Sequence, residues 1–245
     1  MIAQDHPILT ILLSALAFQS LRLVLRARSC CLLPKQVEGN KTKSWRWTNL
    51  SVSLVHSAIT GPWALLCVYN SPEMLTEILT FHSSFSYLLI CVSTGLYLVQ
   101  NDFLHAKLMK THVVIVISTF LYIVLTHYYV AGAVVALFVE INSIFLHTRL
   151  LLKLANAQTS QLYHYNKYIN VFTYIVFRLL AQFYLTWYVL TNLSILPNSG
   201  YISLNLNAMN VMILVYFYRL IRTDFFRKPK HYLQNGNNNT KFVDD

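Results

Sequence analysis

The sequence predicts an all-α membrane protein with about seven transmembrane helices, and three observations carry that reading. Of the 245 residues, 56% are hydrophobic and only 11% charged, where a soluble domain carries roughly 25% charged residues. Apolar runs recur along the chain at lengths near the ~20 residues needed to cross ~30 Å of hydrocarbon. Lys and Arg collect in alternate loops between those runs, which is the pattern of cytoplasmic loops.

Taken in order, the runs are 7–25, 49–69, 83–100, 111–126, 131–152, 171–190 and 204–221. The third and fourth are the shortest. The loop after the first run holds Arg26, Arg28, Lys35, Lys41, Lys43 and Arg46, the next odd loop Lys107 and Lys110, and the fifth Arg149, Lys153 and Lys167. The loops around 71–80, 127–130 and 191–203 contain no Lys or Arg. Seven spans with the amino terminus outside and the carboxyl terminus in the cytoplasm satisfy every loop. The first run has no basic residue before it and no small-residue cleavage site, so it reads as a span and not as a removed signal.

The net charge of +10 belongs to these flanks. It points to topology and anionic lipid contact, not to nucleic acid. Four cysteines without paired spacing form neither a disulfide framework nor a zinc motif. Cys67 and Cys91 read as core residues, and Cys30 with Cys31 as candidates for palmitoylation. No metal or cofactor motif is present, and the expected partners are membrane lipids. The domain organisation expected is a first helix and basic loop over 1–44, one helical domain over 45–226, and a polar, disordered cytoplasmic tail over 227–245.

Ionisable residues inside a bilayer face protein or water and find partners. Glu140 is the one acid and Arg178 the one base placed deep in a span, and the expectation is that they pair, directly or through His56 and water. Helical spacing extends each into a polar stripe. Glu140, Ser143 and His147 share a face, as do Ser53, His56, Ser57 and Thr60, and as do Tyr174, Arg178 and Gln182. Weaker strips comprise Asn207 with Asn210, and His112 with Thr119 and Thr126. Turned inward, the stripes would line a shared interior. For the Ser and Thr positions the plain reading is interhelical hydrogen bonding.

The stretches "WRWTNLSVSLVHSAITGPWALLCVY", "VEINSIFLHTRLLLKLANAQ", "YNKYINVFTYIVFRLLAQFYLT" and "YFYRLIRTDF" resemble TLC-domain proteins. More narrowly, they resemble the branch that sets plasma membrane phospholipid composition and fluidity. The resemblance implies a barrel-like bundle of six helices behind a first spanning helix, enclosing a lipid-facing cavity. It implies a protein that limits incorporation of long-chain polyunsaturated fatty acids into phospholipids at the plasma membrane. His56, Glu140, Asn142 and Arg178 are the cavity positions it carries over, and the stripes add Ser143, His147 and Gln182.

Two departures bear on catalysis. Acyl-transferring relatives, the ceramide synthases, carry adjacent histidines and a later aspartate cluster, whereas "KTHVVIV" offers His112 beside Thr111. Where relatives in the fluidity branch carry His-Asp, "GLYLVQNDFLHAKL" has Gln100, Asn101 and Asp102. An acyltransferase using His112 as base with Asp102 or Glu140 as orienting acid is therefore the alternative, with an incomplete motif. A solute transporter is a further alternative, with Gly61-Pro62 as the one candidate helix break.

Overall fold

The computed structural model describes residues 5–27, 33–100 and 107–226, with the backbone alone for Gln100 and for residues 107–112. Asp102, Cys30, Cys31 and the tail over 227–245 lie outside the described residues. Those described form helices and loops with no strand.

The helices are α1 (Pro7–Ala27), α2 (Lys41–Asn70), α3 (Ser84–Gln100), α4 (Lys107–Thr126), α5 (Val130–Ala136), α6 (Val139–Leu154), α7 (Gln161–Tyr174), α8 (Ala181–Thr191) and α9 (Ser199–Ile221). A π turn, Ile175–Leu180, joins α7 to α8, and another, Arg222–Phe226, ends α9. Five rods are long and apolar enough to cross a membrane: Pro7–Ala27, Lys41–Asn70, Val130–Leu154, Gln161–Thr191 and Ser199–Phe226. The third and fourth expected spans are the shorter apolar helices Ser84–Val99 and Val113–Thr126.

The rods form a ring. α2 packs on α3, α3 on α4, α4 on α9, α9 on α8, and α6 on both α7 and α2, so six rods enclose an interior. α1 stands outside the ring against α3. Gly95 makes that contact possible: a Cβ there would come within 2.7 Å of the Ile11 carbonyl oxygen and 2.8 Å of the Ala15 nitrogen. Ser14 Oγ donates to the Val92 carbonyl at 2.8 Å in the same seam. The opposite surface of α1 exposes Leu9, Leu12, Leu13 and Leu16, as a helix bathed in hydrocarbon should.

Two local departures from simple spans matter for the interior. Gly61-Pro62 does not break its helix, since α2 runs unbroken through both, starting at Asn40, whose side chain accepts from the Lys43 N–H at 3.1 Å. Gly61 instead lets α2 approach α6, where an added Cβ would lie 3.1 Å from the Ile141 nitrogen. The fifth span, expected as one helix, divides at Leu137 and Phe138, where tightened bonds run from Glu140 N–H to Leu137 O and from Ile141 N–H to Phe138 O. Buried α5 plugs one end of the ring through Val130, Ala131 and Val134.

Candidate functional site

The division of the fifth span puts Glu140 in the first turn of α6, where the helix dipole favours a carboxylate. Glu140 is buried, and its two oxygens have separate donors: Ser57 Oγ at 2.6 Å from α2 and the Tyr97 hydroxyl at 2.8 Å from α3. His56 Nδ1 stands 3.8 Å from the same oxygen that Ser57 occupies. Phe18 of α1 and Tyr97 press edge-on against the His56 ring, and His56 Nε2 is buried without a partner. Short O–H···O⁻ bonds of this kind are strong, and the close approach at Gly61 is what brings Ser57 within reach.

The expected direct pair of Glu140 with Arg178 does not form. Among the described residues, the ionic partner of Glu140 is His56. Arg178 Nη2 reaches Ser143 Oγ at 3.3 Å, and its guanidinium lies 5.0 Å above the Tyr174 ring. Ser57 and Tyr97 each take one oxygen of the carboxylate, and Arg178, carried on the π turn Ile175–Leu180, bonds Ser143 one turn further along α6. Such i→i+5 turns recur at functional sites.

Asn142 is fully buried and ties α6 to α7, its Nδ2 donating to the Asn170 carbonyl and Oδ1 at 3.0 Å each and to Thr173 Oγ1 at 3.2 Å. His147 sits one turn beyond Ser143, with Nδ1 buried and unpartnered. At the far end of α6, buried Arg149 bonds the side chain of Asp224 in the terminal π turn. That ion pair fastens the last helix to the fifth rod.

A second interior region lies between α4, α5, α8 and α9. It is a partly open cleft of about 90 Å³ lined mainly by apolar side chains, including Ile78, Phe120, Gly132, Ala136, Leu206 and Met209. Its polar lining comprises Thr119, Gln182 and Asn205, with Tyr129 at its edge. Asn205 Nδ2 donates to Thr119 Oγ1 at 3.1 Å across α4 and α9, and Gln182 Nε2 to the Leu206 carbonyl at 3.3 Å. At the ring's end Tyr129 donates to the Pro197 carbonyl at 2.7 Å. Burial, then Tyr122 and Tyr188, push its phenol up to about 12, so it stays a neutral donor.

Of the expected cavity residues, Gln182 alone lines this cleft. His56, Glu140, Asn142, Ser143, His147 and Arg178 gather instead in the polar core between α2, α3, α6, α7 and the first π turn. His112 lies on α4 among the residues with described backbone alone, and Asp102 is outside the described residues, so no dyad is placed. Asn207 turns outward and bonds Ser203. Sequence reasoning missed Tyr97, Asn170 and Asn205. A tyrosine in a membrane span reads as an interfacial anchor, while Asn166, Asn170 and Thr173 at helical spacing are the signal that would have found Asn170. Among the described residues, no group of three or more His, Cys, Asp or Glu could hold a metal ion.

Compared with known protein families, residues 46–222 of this chain match the TLC domain. The chain belongs to the TLC domain family. It is 39% identical over 234 residues to TLC domain-containing protein 1 of Homo sapiens, covering 92% of this chain and 93% of that protein. It is 40% identical over 202 residues to TLC domain-containing protein 2 of Danio rerio, covering 79% and 82%. With TLC domain-containing protein 2 of Homo sapiens the identity is 28% over 240 residues, covering 93% and 88%. Family and helices together make the chain an integral, multi-pass membrane protein.

Proposed function

We propose that this TLC-domain protein regulates membrane phospholipid composition and fluidity, limiting the entry of long-chain polyunsaturated fatty acids into phospholipids. It does so by admitting part of a phospholipid or acyl chain to its interior. The observation that carries the reading is the cleft: apolar walls with a few placed polar groups, which is the chemistry of a lipid-chain site. Its volume of about 90 Å³ suits a stretch of one chain and not a whole lipid. The likeness to the fluidity branch supports the same reading, as does the family's membrane setting.

Residence in the plasma membrane, with the amino terminus outside and the carboxyl terminus in the cytoplasm, is part of this proposal and rests on the resemblance and on the placing of Lys and Arg. The test is lipidomics of cells lacking the protein and loaded with polyunsaturated fatty acid. Phospholipids richer in polyunsaturated chains, restored by wild-type protein but not by Ala136→Phe, are expected. Unchanged phospholipids would overturn the proposal. Turnover of acyl-CoA by purified protein, lost in His112→Ala, would replace it with an acyltransferase.

A further inference from the structure

Arg178 uses little of its hydrogen-bonding capacity. A guanidinium carries five N–H donors. Here Nη2 makes one long bond to Ser143, the guanidinium lies against Tyr174 and within reach of its hydroxyl, and Nε is buried with no acceptor. Glu140 does not supply one, because Ser57, Tyr97 and His56 surround its oxygens. His147, one turn beyond Ser143 on the same face of α6, leaves Nδ1 buried and unpartnered. Unsatisfied donors are costly in a water-poor interior. The unpaired Nε of a cation held between helices, with the His147 ring on the face of α6 that carries Ser143, defines a place for an oxyanion.

The cleft begins close by. Gln182, which lines it, follows Arg178 by one turn of the same rod, a rise of about 6 Å. An amphiphile with its charged end at Arg178 would therefore reach the apolar cleft by way of Gln182.

We propose that Arg178, with His147 and Ser143, binds the oxyanion of a lipid whose chain enters the cleft past Gln182. This rests on the reading of the cleft as a lipid-chain site. A guanidinium fork suits carboxylate and phosphate alike, so the shared chemistry is an oxyanion on an apolar chain, borne by a fatty acid or by a phospholipid. Glu140 and His56 hold the helices together and take no part in binding.

The experiment uses full-length protein in nanodiscs and four photoactivatable probes of one chain length: a fatty acid, the matching fatty alcohol, a phosphatidic acid and the matching diacylglycerol. Crosslinks are mapped by mass spectrometry to α6, the first π turn and α8. Wild type should capture an anionic probe at least tenfold over its uncharged counterpart, and the arm showing the preference names the source. Arg178→Gln should abolish the preference while capture of uncharged probes persists. Arg178→Lys, which keeps the charge but not the fork, should retain part of it.

Wild type capturing anionic and uncharged probes equally would overturn the proposal, and so would a preference unchanged in Arg178→Gln or Arg178→Lys. Either result leaves the cleft reading standing. Failure of wild type to capture any probe overturns both.

Discussion

The two interior regions of the ring differ in how fully their polar groups are committed to the protein itself. Between α2, α3 and α6, Glu140 is held by Ser57 and Tyr97, and Asn142 by Asn170 and Thr173. Little of that region is left for a ligand except at Arg178 and His147. Between α4, α5, α8 and α9, the walls are apolar and the space is open. The polar core therefore reads as the part that fixes the helices, and the cleft as the part that receives something. The difference teaches that an ionisable residue inside a membrane protein marks a place where helices must agree, which need not be the place where a ligand sits.

The largest expected effect breaks the polar side of that comparison. Glu140→Ala leaves two buried hydroxyls, those of Ser57 and Tyr97, without an acceptor. At roughly 1–3 kcal/mol for each, the variant should lose about 3 kcal/mol of stability, read as a large fall in thermal midpoint by size-exclusion of detergent-purified protein. Glu140→Gln keeps one acceptor oxygen and should lose less. Equal stability of Glu140→Ala and wild type would remove the structural role assigned to this carboxylate.

Next is the approach that brings Ser57 to Glu140. Gly61→Val puts a branched side chain against the α6 backbone, and overpacking of this kind costs roughly 1–3 kcal/mol. The variant should destabilise the protein and add little further loss to Glu140→Ala, because both act through one contact. A double-mutant cycle checks the coupling, and full additivity would count against it.

The cleft should respond in the opposite way. Ala136→Phe fills open space and should change stability by less than about 1 kcal/mol, yet abolish the effect on polyunsaturated phospholipid. A stable variant with full lipid activity would separate the cleft from function. The smallest expected effect is Asn205→Ala, which removes one bond between α4 and α9. Interhelical bonds in membranes average about 0.6 kcal/mol, so a slight fall in thermal midpoint is expected, and a large one would make this seam a structural element like the polar core.

Much of the fold was legible. The seven apolar runs correspond to the seven rods, and the inward position of His56, Ser57, Glu140 and Ser143 follows from helical spacing. The rest was not legible for specific reasons. The division of the fifth span at Leu137 has no glycine or proline to announce it, since α5 is packed tightly enough to turn the chain without one. Gly61-Pro62 looked like a break and is a contact, because α6 lies against that face of α2. The cleft could not be read at all, because its lining comes from single apolar residues on four helices distant in sequence.

The sequence by itself determined that this chain lives in lipid as a multi-pass helical protein, and which acid and base must be sheltered. Those are properties of hydropathy, length and period, which each segment carries alone. Only the tertiary structure decided that Glu140 is shared by Ser57, Tyr97 and His56, that Arg178 turns to Ser143, and that open space begins past Gln182, between α4, α5, α8 and α9. Partners and cavities depend on how closely separate helices approach, and that distance is set by small residues and backbone turns meeting across the fold.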